Sequence, residues 1–174
     1  TLSQDLDVGS AKAIRLQAVS GNVVQTGGVV TAGTLGVNAG GGVSLGSSNS
    51  LASGGVFAAK ASNGDVLFKN ATGYSIGSVL ADGTLFSQVD GITAASASKI
   101  ITLDTGAGSV TQSSGKTVRT DTSNAGATGG LELKGAASYV LIDSGNNVAT
   151  IAGNTTGTIS YTDAGGFAVG TVNT

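Results

Sequence analysis

Ten carboxylates are the side chains in this 174-residue sequence with the most direct route to chemistry: Asp5, Asp7, Asp65, Asp82, Asp90, Asp104, Asp121, Glu132, Asp143 and Asp163. Two of them held ~5–10 Å apart could cleave a glycosidic bond by general acid–base catalysis. Stacking of distant segments could bring such a pair onto one face. Their contexts point instead to turns, because most sit beside Gly, Ser or Thr. The chain has no His and no Cys, so Ser-His-Asp and Cys-His nucleophile systems, disulfides and Cys/His zinc sites are all excluded. The calcium repeat G-G-x-G-x-D and the EF-hand loop are absent, as is a phosphate loop set between a strand and a helix. No catalytic, cofactor-binding or metal-ligating residue is assigned, no cofactor is expected, and the chain reads as a non-enzyme.

The remaining polar and aromatic groups have structural readings. Phe57, Phe68, Phe86, Phe167, Tyr74, Tyr139 and Tyr161 could form a sugar-stacking platform, but their placement favours the interior. Asn49, Asn146 and Asn147 suit a buried ladder of side-chain amides at one corner. Asn70-Ala71-Thr72 and Asn154-Thr155-Thr156 match the glycosylation sequon, read here as coincidence. The formal charge is −2 with no basic cluster, which disfavours nucleic acid. No apolar run approaches the ~20 residues of a membrane helix, and a transmembrane barrel would need longer alternating strands. The sequence starts at Thr1 with no recognisable signal peptide and is read as a mature or excised fragment.

These residues must be held by short strands. Apolar residues alternate with polar ones in KAIRLQA (Lys12–Ala18) and in KIITLDT (Lys99–Thr105), the period of an extended chain. No window repeats with helical spacing. Between the apolar pairs lie Gly, Asn, Ser, Thr and Asp, residues that turn corners. Glycine contributes 30 residues, proline none and charged residues only 10 %. Collagen is excluded, and the recurrent Val, Ile, Leu and Thr argue against disorder.

The chain also repeats itself. GDVLFKNATGYSIGSV (Gly64–Val79) matches GTISYTDAGGFAVGTV (Gly157–Val172) with glycines on glycines and aromatics on aromatics. Lys12–Ala18 matches Lys99–Thr105, Val23 and Gln25 match Val110 and Gln112, and Leu35 and Val37 match Leu131 and Leu133. Two imperfect units follow, about 12–96 and 99–174, within a single domain spanning 1–174. Thr120–Gly129 is expected to bulge as a loop, and Val79–Ser98 to join the units.

Strands this short, with this many corners, suit a coil better than a sandwich. The expected fold is all-β, a right-handed parallel β-helix without substantial helix. It would have about eight turns of roughly 20 residues stacked at ~4.8 Å.

Three stretches carry a family resemblance: AIRLQAVSGNVVQTGGVVTAG (Ala13–Gly33), ITLDTGAGSVTQSSG (Ile101–Gly115) and NNVATIAGNTTGTISYTDAGGFAVGTVN (Asn146–Asn173). They resemble the repeat region of filamentous-haemagglutinin-like secreted adhesins, exported by two-partner secretion, and of related autotransporter passengers. The resemblance covers nearly the whole chain from Lys12. It implies a right-handed β-helical shaft segment, non-catalytic, secreted or on the bacterial cell surface. Partners would be host-cell or surface glycans or proteins, or other matrix components, bound through loops, with no nucleic acid and no membrane insertion. The family's secretion domain carries NPNL and NPNG motifs, and with no proline this chain is not that domain. The alternatives are a self-assembling fibre subunit stacking head to tail through its ends, or a polysaccharide-binding or -cleaving β-helix.

Overall fold

A computed structural model describes residues 1–121 and 127–172. Among them are eighteen strands and no helix, and every ladder between strands is parallel except one. Most strands join one curled sheet.

Two long in-register rows define the architecture. The first stacks Val23, Val43, Val66, Ile101, Leu131, Ile151 and Val169, each beside the next. The second stacks Ala13, Thr34, Val56, Ser75, Thr111, Val140 and Ser160. Each row has seven members, so the chain lays down seven layers, with a bridge from Leu2 to Gln25 beginning another. The strand Val43–Ala61 belongs to both rows and carries the sheet around the corner.

Alternation sorts the side chains. On one strand Val66, Phe68 and Asn70 are buried while Leu67 and Lys69 between them are not, as period-two geometry requires. The inward residues of the two rows meet in one core. Ile14, Leu35, Phe57 and Ile76 come from the second row's strands, and Leu45, Phe68, Leu103 and Leu133 from the first's. The Phe57 and Phe68 rings, one from each set, stack with centroids 3.8 Å apart. Fully burying such side chains stabilises by about 1.5–3 kcal/mol each.

Val79–Ser98, expected to join two units, does something else. Phe57 pairs with Ile76 and Ala59 with Ile92, so the strand opposite Ala58 is interrupted. Gly77 donates its N–H to Phe57 at 3.1 Å, and Gly91 accepts from Ala59 at 3.0 Å. Two glycines thus share the work of one residue, and Gly91 also donates to Gly77 at 2.9 Å. Between them the chain leaves the layer as an antiparallel hairpin, Ser78–Val79 against Val89–Asp90. Val79, Phe86 and Val89 pack with Ala58 in a second, smaller core. A Cβ at Gly36 would fall 2.6 Å from Val79 and 2.9 Å from Phe86, so glycine there makes room for the hairpin. Arg15 Nε donates to the Leu80 carbonyl at 3.0 Å and pins its outer part. Ile76 and Ile92 both point inward on either side of this Gly-flanked detour.

The sequence repeat is real but relates the two rows to each other. Ile14 and its match Ile101 lie in different rows, as do Leu35 and Leu131, Val43 and Tyr139, and Val66 and Ile159. The repeat therefore steps from one side of a layer to the other side of a later one.

Candidate functional site

Backbone N–H groups hold half of the acids. Asp5 accepts from the Val29 N–H at 2.8 Å, Asp7 from Gly9 at 2.7 Å, and Asp65 from Ile100 at 2.9 Å. Asp143 accepts from Gly145 and Gly115. Asp163 accepts from Gly165, Gly166, Val148 and the Tyr161 hydroxyl. The other five face cations: Asp82 with Arg15, Asp90 and Lys116, Asp104 and Lys69, Asp121 and Arg119, Glu132 and Lys134. Among the described residues no three carboxylates gather in a way that could hold a metal.

Asp90 has the most perturbed carboxyl. The Ser78 hydroxyl 2.5 Å away, then Gln88, then Lys116 hold its pKa down to about 2. Its partners lie on the hairpin and at the neighbouring Lys116, so it fastens the hairpin down. Burial pushes the Tyr74 and Tyr139 phenols upward, as it does Tyr161, beside Asp163. None of these tyrosines is a base at ordinary pH.

The amides act at two separate corners. Asn49 is fully buried and exchanges hydrogen bonds with Gln25, its Oδ1 accepting from Gln25 Nε2 at 2.8 Å and its Nδ2 donating to Gln25 Oε1 at 3.2 Å. The same side chain accepts from the Val30 N–H and donates to the Leu45 and Lys69 carbonyls. Asn146 repeats the pattern with Gln112 and bonds Val118, Leu141 and Thr162. The single Asn49–Asn146–Asn147 ladder expected from the sequence is therefore two Gln–Asn corners. Asn49 stacks on Asn70, not on Asn146. Each corner satisfies backbone groups that the bend leaves without sheet partners.

The aromatics divide similarly. Phe57, Phe68, Tyr74, Tyr139 and Phe86 are buried, while Phe167 is exposed. The repeated pairs keep their contact, with Phe68 and Tyr74 edge to face at 5.2 Å and Tyr161 and Phe167 at 5.1 Å. Among the described residues no exposed row of rings offers a platform for sugars. Of the two sequons, Asn70 is fully buried and bonded to Thr72 and Leu51, whereas Asn154 is exposed.

A concavity of ligand size lies on the outer side of the first row. It encloses about 490 Å³, with Val24, Ser44, Leu67 and Thr102 along its floor and Asn22, Asp65 and Lys134 at its edges. Beside it runs a charged row that only the register reveals, because Lys69, Asp104 and Lys134 are stacked neighbours from three layers. Lys69 Nζ reaches Asp104 at 3.1 Å, Lys134 Nζ reaches Glu132 at 3.2 Å, and the Thr102 hydroxyl donates to Glu132 at 3.2 Å. Each carboxylate is matched by a lysine, so the row is electrostatically closed. It offers neither an unpaired acid nor an unpaired base. The expected Thr120–Gly129 loop can be followed at its ends only, since residues 122–126 lie outside those described.

No protein-family model matches the chain, and neither a curated protein nor a solved structure is similar to it.

Proposed function

We propose that this chain is a non-catalytic shaft segment, a right-handed parallel β-helix that holds other parts of a secreted or cell-surface adhesin apart. The carrying observation is the pair of seven-member rows that meet in one apolar core, with every acid occupied by backbone N–H groups or by a lysine or arginine. Such a stack is stiff along its axis, because each layer is tied to the next by parallel backbone bonds and by side chains in register. Its outer surface carries neutral Ser, Thr and Asn and matched ion pairs, with a few exposed apolar side chains such as Val19, Leu80, Leu85 and Ile142. Contacts with glycans or host proteins would fall to loops leaving the layers. The haemagglutinin-like phrases of the sequence support this placement.

Atomic-force pulling between the chain ends tests the reading. A layered shaft should unravel in increments of one layer. With layers of 18 to 36 residues (Ala168 on Thr150, Val110 on Tyr74), each increment is about 60–130 Å at ~3.3–3.6 Å per residue. Incubation with a panel of polysaccharides should release no new chain ends. Cleavage abolished by replacing a single acid would overturn the reading in favour of an enzyme.

A further inference from the structure

Register builds the hollow on the outer side of the first row. Val24, Ser44, Leu67 and Thr102 are stacked neighbours, ~14 Å from first to last at ~4.8 Å per layer. Asn22, Gly42, Asp65 and Ile100 each stand two residues earlier and line the same space. Gly42 and Ser44 are small, so their layer recedes between Val24 on one side and Leu67 on the other. The resulting volume, about 490 Å³, is that of a small-molecule site. Charge around it is not balanced. Asp104 is matched by Lys69 and Glu132 by Lys134, and the Thr102 hydroxyl is spent on Glu132. Asp65 has no lysine or arginine within ion-pair distance among the described residues. Its Oδ1 accepts from the Ile100 N–H at 2.9 Å, which fixes the carboxylate and leaves Oδ2 for a ligand. Three carboxylates therefore face two lysines, beside a floor that is mainly apolar.

We propose that this hollow binds a small organic cation, an ammonium group carried on an apolar body. The ammonium lies against Asp65, and the body covers Val24, Leu67 and Ile100 above Ser44. Apolar surface removed from water supplies the affinity, and Asp65 sets the sign of the charge that is accepted. An anion of the same shape meets the surplus negative charge. A sugar finds no ring to stack on, since no aromatic residue lines the hollow. The site needs the layered register but not the shaft role, so it stands or falls separately from that role.

Three probes with one body and different charge test the site: phenylbutylammonium, phenylbutanol and phenylbutyrate. Each is titrated into the natural chain and followed by amide chemical shifts. The shifts should cluster on Ser44, Asp65, Leu67 and Thr102. The ammonium should bind about fivefold more tightly than the alcohol, the upper end for a solvent-exposed ion pair, with the carboxylate weakest. Asp65→Asn keeps an acceptor for the Ile100 N–H and should erase the preference for ammonium over alcohol, leaving the alcohol's affinity unchanged. Ser44→Phe fills the hollow and should weaken both by at least about tenfold, with the β dichroism retained. No shifts up to the solubility of the probes, shifts scattered elsewhere, equal affinities for all three, or a preference for the carboxylate would each overturn the proposal. A natural chain whose amide spectrum lacks the dispersion of folded sheet would instead overturn the layered register on which the site is built.

Discussion

The hairpin offers a test in which one residue decides the outcome. Gly77 supplies the N–H and Gly91 the C=O that a single residue opposite Ala58 would provide. Deleting fourteen residues, Ser78–Gly91, should therefore leave Gly77 able to make both bonds, with Ile92 following at its present register. Deleting thirteen, Ser78–Asp90, keeps both glycines and inserts one residue too many. A one-residue slip turns a strand over, so Ile92 and Ala94, now buried completely, would face out unless a bulge absorbs the extra residue. Exposing or unpacking such residues costs at least about 2 kcal/mol. Both deletions lose the same burial of Val79, Phe86 and Val89, so that loss cancels in the comparison. Urea unfolding followed by circular dichroism reads the difference. The fourteen-residue deletion should fold cooperatively and exceed the thirteen-residue one by at least about 2 kcal/mol. Equal stabilities, or a fourteen-residue deletion that fails to fold, would refute the assignment of this segment as an excursion from a continuous strand.

Two further outcomes follow from the side-chain networks. Asn49→Leu strands the Val30 N–H and the Leu45 and Lys69 carbonyls inside the corner. At about 1–3 kcal/mol per orphaned group, stability should fall by at least about 3 kcal/mol. Asn146→Leu should behave alike, and Leu at the exposed Asn154 should cost less than ~0.5 kcal/mol in the same melts. Asp90 has a folded pKa of about 2, below its ordinary 3.8, so its stabilisation is present above pH 4 and is lost as pH falls towards 2. The melting gap between the natural chain and Asp90→Asn should accordingly be open at pH 6 and narrow at pH 2. A gap that widens on acidification would contradict the assigned sign.

Much of this structure was legible in the residues. The alternation in Lys12–Ala18 and Lys99–Thr105 marks strands because Ile14 and Leu16, and Ile101 and Leu103, fall at alternate positions, and strands stand there. Asp7, Asp143 and Asp163, each two residues before a Gly, behave as turn acids, accepting from the N–H of Gly9, Gly145 and Gly165. The phasing was harder to read. Both rows use the same apolar alternation and the same Gln–Asn corner, so a match between Ile14 and Ile101 cannot say which row each joins. The hairpin is hidden in the sequence because Phe86 and Val89 have the character of core positions and are buried, but in a separate core outside the layers. The Lys69–Asp104–Lys134 row was invisible for a related reason. Its members are separated by whole layers of unequal length and become neighbours only once pairing fixes the register.

Electron–electron double resonance between paired nitroxides tests the layering most directly. Ser44, Leu67, Thr102, Glu132 and Ala152 form one outward row, and Val24 precedes Ser44. Labels on cysteines at Ser44 and Ala152 are four layers apart, and labels at Val24 and Ala152 five. Stacked layers place them at ~19 Å and ~24 Å, a step of ~4.8 Å, although the first pair is separated by more than a hundred residues. Two narrow distributions differing by that single step are the expected result. Broad distributions, or a second pair no farther apart than the first, would contradict the stacked-layer architecture.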